Sequence, residues 1–567
     1  MSEKIDSLEI TTNHATGYSS NGGYFSRMVD SFKPMEVVSE DDSTLDLVTK
    51  GVHGTANQPL VRDLKNRHVQ MIAIGGSIGT GLFIGSGYAL SVGGPAAVLI
   101  SYVLAGYAIF CMVMALGELS VQFPISGSFN AFFSRFVDPT VGFTLGLMYA
   151  LSWLISFPSE LIAAAMTIQY WNQSIDPALW VAILFVLIIG INFFGVRGFG
   201  EAEFWLSLIK VIAVIGFIIL GICITCGVGS QGYIGGKYWH NPGAFNGGLK
   251  GVCNAFVSAA FSFGGVELVA LAAAETENPR KSLPKATKQV FWRIFIFYIC
   301  TAIVIGCLVP YTNEQLLNGS GITASPFVIA VQNGGIKVVP HIMNAVILVA
   351  VISLGNSSVY GCSRSLASMA AQGLLPSWFG YIDRKGRPLV SIGFISAFGL
   401  LGFLVDSTKE SVVFTWLFAL CSVATFIIWG TVCVVHIRWR AALKAQGRST
   451  DEIIFVSPMG LFGSYSGALV CFLMMIGEIW IALFPHGSAD VNNFFQLCLS
   501  IPIMIVMYVG HKTYTRSWNR FIIKLEDIDL DTGRREVDID LLRQELEELK
   551  LAYKEKPIWK KLLQILF

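Results

Sequence analysis

The chain has 567 residues, of which 53% are hydrophobic and only 14% charged, and its formal net charge is +1. A soluble protein of this length does not carry so apolar a composition, because a single soluble core stops growing at about 250–300 residues. We therefore predict a polytopic membrane protein. The near-neutral charge, without a basic block, argues against nucleic acid as a partner.

The two ends of the chain are polar and differ from each other. The amino-terminal tail, residues 1–68, is rich in Ser, Asp, Asn and Gly and is expected to be mostly disordered. It lacks the charged-then-apolar pattern of a cleaved signal peptide. In the carboxyl-terminal tail, residues 512–567, the stretch 538–556 has Glu, Lys and Leu at helical spacing and predicts a short helix. This helix is either a solvated element packed on the membrane domain or a regulatory docking element.

Between the tails, residues 69–511 contain repeated apolar runs of about 20 residues, which is enough to cross about 30 Å of hydrocarbon. We predict twelve membrane spans, so both tails lie on one side. The predicted spans are 69–92, 95–121, 141–169, 178–196, 204–226, 250–274, 290–310, 338–370, 388–405, 411–436, 461–484 and 491–511.

Lys and Arg are concentrated in the connections that share the tails' side of the membrane. The largest cluster follows the sixth span and includes Arg280, Lys281 and Lys285, whereas the opposite connections carry few cations. Because positive charge is retained on the cytoplasmic side, we expect both termini in the cytoplasm.

Glycines interrupt two of the predicted spans near mid-length. Span 1 contains AIGGSIGTGLF, residues 73–83, and span 6 contains AFSFGGVE, residues 260–267. A glycine costs a helix about 1 kcal/mol relative to alanine, and irregular backbone at bilayer depth persists only where it lines a cavity or is buried in protein. Paired breaks five helices apart are typical of inverted-repeat transporters. The alternative is that the glycines only permit close helix packing.

The two breaks offer opposite binding groups. In span 1 the freed N–H groups of residues 77–81 lie at the positive end of a half-helix, which favours a carboxylate. In span 6 the carbonyls of residues 261–263 are expected to accept hydrogen bonds from an ammonium group. A zwitterion satisfies both breaks together.

Ionisable residues within the spans are functional candidates, because each costs about 2.5–3.5 kcal/mol at a helix centre. Glu118, Glu275 and Lys210 fall near predicted span ends, where snorkelling or an interfacial ion pair is the simpler explanation. Glu160 and Glu267 lie deeper and are candidate proton carriers. Lys210 is a candidate to occupy the place of a sodium ion. A fixed ion pair is the alternative for all three. The remaining members of the set are Arg364 and Glu478.

Several long motifs closely resemble the fungal amino-acid permeases of the amino acid–polyamine–organocation superfamily, nearest to the general amino-acid permease group. The resemblance extends from about residue 58 to about residue 550. The motifs are GSIGTGLFIGSG (76–87), FFGVRGFGEAEFWLSLIKV (193–211), AAFSFGGVELVALAAAETENPRKSLPKATKQVFWRI (259–294), GNSSVYGCSRSLASMAAQGLLP (355–376) and EDIDLDTGRRE (526–536).

The resemblance implies an all-α integral membrane protein with twelve transmembrane helices. Spans 1–5 and 6–10 would form a 5+5 inverted repeat with broken helices 1 and 6, and two helices would be extra. It implies import of L-amino acids across the plasma membrane by proton symport. The expected substrate range is broad and includes neutral amino acids. An amino-acid sensor and a narrow-specificity permease of the same family are alternatives. The chain shows no pattern typical of a membrane enzyme, a metal site or a cofactor site.

The resemblance also implies roles for individual residues. It places the substrate carboxylate at Ser77, Ile78, Gly79, Thr80 and Gly81, and the amino group at Phe261, Ser262 and Gly264. Phe261 or Phe263 would be an aromatic lid. Proton coupling or substrate selection is linked to Glu160, Glu267 and Lys210.

Side-chain selectivity is expected from spans 3, 8 and 10, which offer Ser152, Ser156, Asn356 and the run 416–422. Cys421 stands where relatives often carry Ser or Thr. Because a thiol is a poorer hydrogen-bonding partner than a hydroxyl, this residue disfavours a pocket for a polar or cationic side chain. The expected partners beyond substrate, protons and membrane lipid are the ubiquitin-ligase machinery at Lys4 and Lys33.

Overall fold

A computed structural model describes the backbone of residues 30–35, 46–58, 60–76, 78–318, 325–406, 410–485, 488–534 and 557. It describes the side chains in those ranges except at 405–406, 410–422, Lys281, Asn318, Asp451 and Gln496. Four of the sequence predictions therefore concern parts of the chain outside the described residues. These parts are the predicted helix at 538–556, Lys4, Ser77 and the side chain of Cys421.

The described residues form helices and two isolated β-bridges, with no longer strand among them. The α-helices of the first half are α1 (Leu47–Ala56), α2 (Asn66–Gly75), α3 (Ser86–Gln122), α4 (Phe129–Phe136), α5 (Pro139–Gln169), α6 (Pro177–Phe193) and α7 (Gly195–Thr225). Those of the second half are α8 (Gly248–Phe263), α9 (Leu268–Leu271), α10 (Pro279–Arg293), α11 (Thr301–Leu308), α12 (Glu314–Asn318), α13 (Pro326–Asn333), α14 (Val339–Ala371), α15 (Leu389–Gly399), α16 (Glu410–Ala445), α17 (Gly460–Leu483), α18 (Val491–Cys498) and α19 (Ser500–Tyr514).

Short segments of other helical type connect or extend these helices. The π-helical segments are Gly81–Gly85, Trp239–Gly243 and Ile294–Cys300, and the 3-10 segments are Ala272–Glu275, Ser377–Gly380, Leu400–Asp406, Thr450–Glu452 and Leu525–Asp527.

Within the described residues, eight helices are long and apolar enough to cross a membrane, and two shorter apolar helices, Pro177–Phe193 and Leu389–Leu404, accompany them. Each predicted span falls on one helix or on consecutive helices. Helix α3 carries parts of two predicted spans, because Gly94, at φ +80°, and Pro95 bend it between them. The chain is therefore a multi-pass helical membrane protein.

Local sequence signals explain where the long helices begin. Asp138 precedes Pro139, and its carboxylate accepts a hydrogen bond of 2.8 Å from the Thr140 N–H at the start of α5. Asp176 and Pro177 repeat this arrangement at the start of α6. An acidic N-cap followed by proline at the first helical position satisfies one orphan N–H and removes another.

Both predicted glycine interruptions are present. Helix α2 ends at Gly75, and helical structure resumes only at Thr80 and the π-helical segment that begins at Gly81. The second break follows the end of α8 at Phe263, where Gly265 adopts φ +92°, and ends at α9. This positive φ is the backbone conformation for which glycine carries no steric cost.

The described parts of both tails lie at the same end of the helix bundle. In the carboxyl-terminal tail, the carbonyls of Asp529 and Thr532 each accept a hydrogen bond of 2.8 Å from Arg135 of α4. The amino-terminal tail contains helix α1, although this region was expected to be mostly disordered. Asp46, at the start of α1, forms an ion pair of 3.5 Å with Arg520.

Candidate functional site

A cavity of about 60 Å³ lies at the second break, between helices α5, α8, α14 and α16. That volume is enough for several water molecules. Its lining is mostly aromatic and apolar, with a few hydroxyls and one carboxylate. The lining residues are Tyr149, Ser152, Trp153, Ser156, Ala260, Phe261, Gly264, Gly265, Glu267, Leu354, Thr425, Ile428 and Trp429.

The cavity brings together five of the predicted site residues and leaves the others outside its wall. Ser152, Ser156, Phe261, Gly264 and Glu267 line it. The predicted residues that do not line it are Ile78, Gly79, Thr80, Gly81, Ser262, Phe263, Glu160 and Lys210.

The glycines of the first break make close contacts with the second break and with the cavity wall. A methyl group at Gly81 would lie 2.5 Å from Ser262 Cα and 2.8 Å from the Phe261 carbonyl oxygen. A methyl group at Gly79 would lie 2.7 Å from Leu354, which is itself part of the cavity lining. Close packing is therefore one role of these glycines, and the first break lies directly behind the cavity wall.

The geometry distinguishes the two candidates for an aromatic lid. Phe261 lines the cavity. Phe263 instead stacks on Tyr298, with ring centroids 3.9 Å apart, and contacts the edge of Tyr102. Because Phe263 is held in this buried ring cluster, only Phe261 is placed to cover a molecule in the cavity.

Glu160 connects helix α5 to the first break. Its side chain is 2% exposed, and its Oε1 accepts a hydrogen bond of 2.8 Å from the Thr80 hydroxyl. Its other carboxyl oxygen has no hydrogen-bond partner among the described residues. Glu160 lies one turn beyond Ser156 on α5, so this carboxyl stands between the cavity and the first break.

Glu267 is the only acidic side chain in the cavity lining as described. Its Oε1 accepts a hydrogen bond of 3.2 Å from the Gly265 N–H, and its Oε2 has no hydrogen-bond partner of acceptable geometry in the described structure. Tyr149 and Trp429 lie beside the carboxyl. A buried carboxylate with one unpaired oxygen is costly, so this group marks a place where a proton or a ligand would be stabilised.

Lys210 is in the middle of a span and not near its end, which corrects the sequence-based position. Helix α7 begins at Gly195, nine residues before the predicted start of the span. The ammonium group is fully buried and donates hydrogen bonds to the Gly75 carbonyl at 2.6 Å and to Ser353 at 2.7 Å. It also forms an ion pair of 3.4 Å with Glu203.

Glu203 and Arg293 are buried ionisable residues that the sequence reasoning missed. Glu203 accepts hydrogen bonds from Ser353 at 2.6 Å and from Ser207 at 2.9 Å. Arg293, 1% exposed at the end of α10, donates a hydrogen bond of 2.5 Å to the Ala73 carbonyl. The last carbonyls of a helix lack intrahelical partners and carry negative potential, so Lys210 and Arg293 both stabilise the end of α2.

Other charged residues of the spans form ion pairs away from the cavity, as the simpler explanation predicted for two of them. Glu118 lies 2.7 Å from Arg440, and Glu275 lies 3.3 Å from Arg364. Asn356, expected to contribute to selectivity, accepts a hydrogen bond of 2.9 Å from Asn192 and does not line the cavity.

The aromatic lining residues Tyr149, Trp153 and Trp429 were also missed. One signal could have found two of them, because positions 149, 152, 153 and 156 repeat at i, i+3, i+4 and i+7 and share one face of α5. The predicted serines and the missed aromatics therefore belong to the same stripe.

A helical membrane protein with two interrupted helices and a cavity at their junction has the architecture of a transport protein. Comparison with known proteins agrees with this class: the sequence model of the amino acid permease family matches residues 68–524, and the chain belongs to that family.

Similar proteins cover nearly the whole chain. The chain is 68% identical to the S-adenosylmethionine permease GAP4 of Candida albicans over 537 residues, which is 94% of this chain and 88% of the relative. It is 51% identical to the general amino-acid permease GAP1 of Saccharomyces cerevisiae over 551 residues, covering 95% and 91%. It is 52% identical to the S-adenosylmethionine permease SAM3 of the same yeast over 555 residues, covering 96% and 94%.

Proposed function

We propose that this protein is a secondary active transporter that imports L-amino acids across the plasma membrane by proton symport. Its range is broad and includes neutral amino acids. Twelve crossings, built as a 5+5 inverted repeat with two extra helices, place both termini in the cytoplasm. The observation that carries the proposal is the cavity at the second break, with the first break directly behind its wall and with five lining residues expected to bind substrate or couple protons.

The substrate's charged backbone groups bind between the two breaks. Its carboxylate pairs with N–H groups in the stretch 77–81, at the positive end of the half-helix that begins there. The Ile78 N–H already donates a hydrogen bond of 3.0 Å to the Gly75 carbonyl, so the carboxylate relies on the other N–H groups of this stretch. Its amino group pairs with backbone at Phe261, Ser262 and Gly264, at the carboxyl end of α8, where helix carbonyls carry negative potential. The Ser262 carbonyl already accepts a hydrogen bond of 2.8 Å from the Tyr298 hydroxyl and can accept a second one from the ammonium group. Because Gly81 packs on Ser262, the substrate enters between the breaks as they part.

Glu160 carries the transported proton. Its hydrogen bond with Thr80 ties the charge of the carboxyl to the geometry of the first break, so protonation changes the break that holds the substrate carboxylate. Glu267 in the cavity wall is the alternative carrier. Lys210 holds the Gly75 carbonyl at the break, where a sodium ion would otherwise be coordinated.

Uptake by purified protein in proteoliposomes tests this function. With an inward proton gradient, we expect labelled leucine to accumulate, and a protonophore should abolish the accumulation. Glu160→Gln should retain exchange of internal for external leucine but lose gradient-driven accumulation. The exposed Glu314 of α12 provides a control, since Glu314→Gln should behave as wild type. Accumulation that survives collapse of the gradient would refute proton coupling.

A second candidate function is a narrower permease for S-adenosylmethionine. The observation that favours it is the 68% identical relative with that name. Uptake of labelled leucine and, separately, of labelled S-adenosylmethionine, each in competition with the twenty common amino acids and with S-adenosylmethionine, separates the two ranges. Inhibition by many amino acids supports the broad range, and inhibition by S-adenosylmethionine alone supports the narrow one. A sensor would bind these compounds without accumulating any of them.

Turnover is proposed to depend on ubiquitin attached to Lys4 and Lys33. Lys33 has a side chain 61% exposed and forms an ion pair of 2.9 Å with Asp30, so its amine is accessible to a modifying enzyme. Replacing both lysines by Arg should slow nutrient-triggered endocytosis of the tagged protein. An unchanged rate of endocytosis would remove both lysines from the proposal.

A further inference from the structure

We propose that the cavity is a subsite for a permanently cationic sulfonium side chain, held by the rings of Tyr149, Trp153 and Trp429 and by the carboxylate of Glu267. This inference rests on the proposed transport function, because it assigns the side-chain end of the substrate to the same cavity. It differs from the sequence-based expectation that Cys421 disfavours a cationic side chain.

Aromatic rings dominate the walls of the cavity. Tyr149 and Trp153 meet edge to face on α5, with ring centroids 5.9 Å apart, and Trp429 of α16 and Phe261 of α8 complete the lining. All three rings named in the proposal are at most 6% exposed. Aromatic side chains attract cations through the negative faces of their rings, and tryptophan is the strongest of them. Such walls stabilise a methylated cation that also needs apolar contact.

The carboxylate supplies the opposite charge. Glu267 is 5% exposed, and its Oε2 has no hydrogen-bond partner of acceptable geometry among the described residues, although Tyr149 and Trp429 lie beside the carboxyl. Among the described residues, no lysine or arginine forms an ion pair with the Glu267 carboxylate within 4.0 Å. An isolated buried carboxylate is unfavourable. The charge of Arg293 acts on this carboxyl from beyond ion-pair distance. A bound cation would therefore supply a direct ion pair that the described residues do not.

The chemistry of the lining favours sulfonium over ammonium. A lysine side chain brings three N–H donors, each of which needs an acceptor when it is buried. A sulfonium centre has no such donor and needs only charge compensation and apolar contact. The cavity offers one carboxylate within a largely aromatic surface, which matches the sulfonium. Its volume of about 60 Å³ suits a small methylated head such as that of S-methylmethionine.

A matched pair of ligands tests the charge without changing the shape. S-methylmethionine ends in a dimethylsulfonium group, and 5-methylnorleucine replaces the sulfur with an uncharged carbon. Binding to the purified protein is measured by calorimetry, which does not depend on transport. We expect the wild type to bind the sulfonium about tenfold more tightly than the neutral isostere.

Variants then locate the effect. Glu267→Gln should bring the ratio of the two affinities close to one, and Trp429→Phe should lower it about threefold, while affinity for the neutral isostere changes little. Trp205→Phe is the control, since Trp205 is 60% exposed on α7 and should leave the ratio unchanged.

The result distinguishes this proposal from the transport function. If both ligands bind equally to the wild type while labelled leucine still accumulates in proteoliposomes, the sulfonium subsite is wrong and transport stands. If the sulfonium binds preferentially but no amino acid is accumulated, the subsite stands and the transport function fails. A ratio that is unchanged in both Glu267→Gln and Trp429→Phe would also overturn the subsite.

Discussion

Replacing Gly81 with alanine should separate the two broken helices. The new methyl group would lie 2.5 Å from Ser262 Cα, 2.7 Å from Ser262 N and 2.8 Å from the Phe261 carbonyl oxygen, whereas ordinary contacts begin at 3.4 Å. All three atoms are backbone, so no side chain can rotate away. The breaks must part by roughly 1 Å, which costs about 3 kcal/mol on the scale of overpacked cores.

This displacement should reduce transport much more than it reduces folding. A misplacement of about 1 Å in a positioned site can lower a rate about 100-fold, and we expect a loss of that order in leucine uptake. Uptake is measured in cells that lack other permeases and is normalised to protein at the cell surface. Gly216→Ala is the control, because a methyl group at Gly216 would meet no atom within 4 Å. Wild-type uptake and affinity in Gly81→Ala would refute the proposed junction of the breaks.

Further predictions concern the buried lysine and the docked tail. Lys210→Met should lower the free energy of unfolding by about 3–5 kcal/mol, because it leaves the Glu203 carboxylate buried without its cation. Adding Glu203→Gln should recover much of this loss. Thermal unfolding of the purified protein measures both effects. Arg135→Ala should increase hydrogen exchange at residues 525–534, since it removes the hydrogen bonds to Asp529 and Thr532; unchanged exchange would contradict this docking. Burial raises the pKa of Asp529, but hydrogen bonds from Thr532 and the charge of Arg135 lower it overall, below the ordinary value of 3.8. The contribution of this carboxylate to docking is therefore complete above that value and is lost only as pH falls below it, so exchange at residues 525–534 should be the same at pH 7 and pH 5.

Much of the architecture could be predicted, because crossing a bilayer imposes a strong pattern on the sequence. Apolar runs located the helices, and the glycines at 79–81 and 264–265 marked the two breaks. Hydropathy is less informative about where a helix begins. The predicted span that contains Lys210 begins at residue 204, so Glu203 lies just outside the prediction. In the structure, helix α7 begins at Gly195 and includes Glu203.

The contacts that define the site depend on tertiary packing and could not be predicted. Arg293 lies at the start of the predicted span 290–310, and no sequence pattern indicates that its guanidinium reaches the end of α2. Trp429 cannot be distinguished from a lipid-facing or core aromatic residue by residue type. Phe261 and Phe263 are two residues apart, and only the packing of Phe263 on Tyr298 separates their roles.

A structure determined by cryo-electron microscopy with saturating amino-acid substrate tests the central claim most directly. The account predicts density for the substrate in the cavity bounded by Ser156, Phe261 and Trp429, with its carboxylate at the N–H groups of residues 79–81 and its amino group at the end of α8. Substrate density elsewhere in the bundle, with this cavity unchanged, would contradict it.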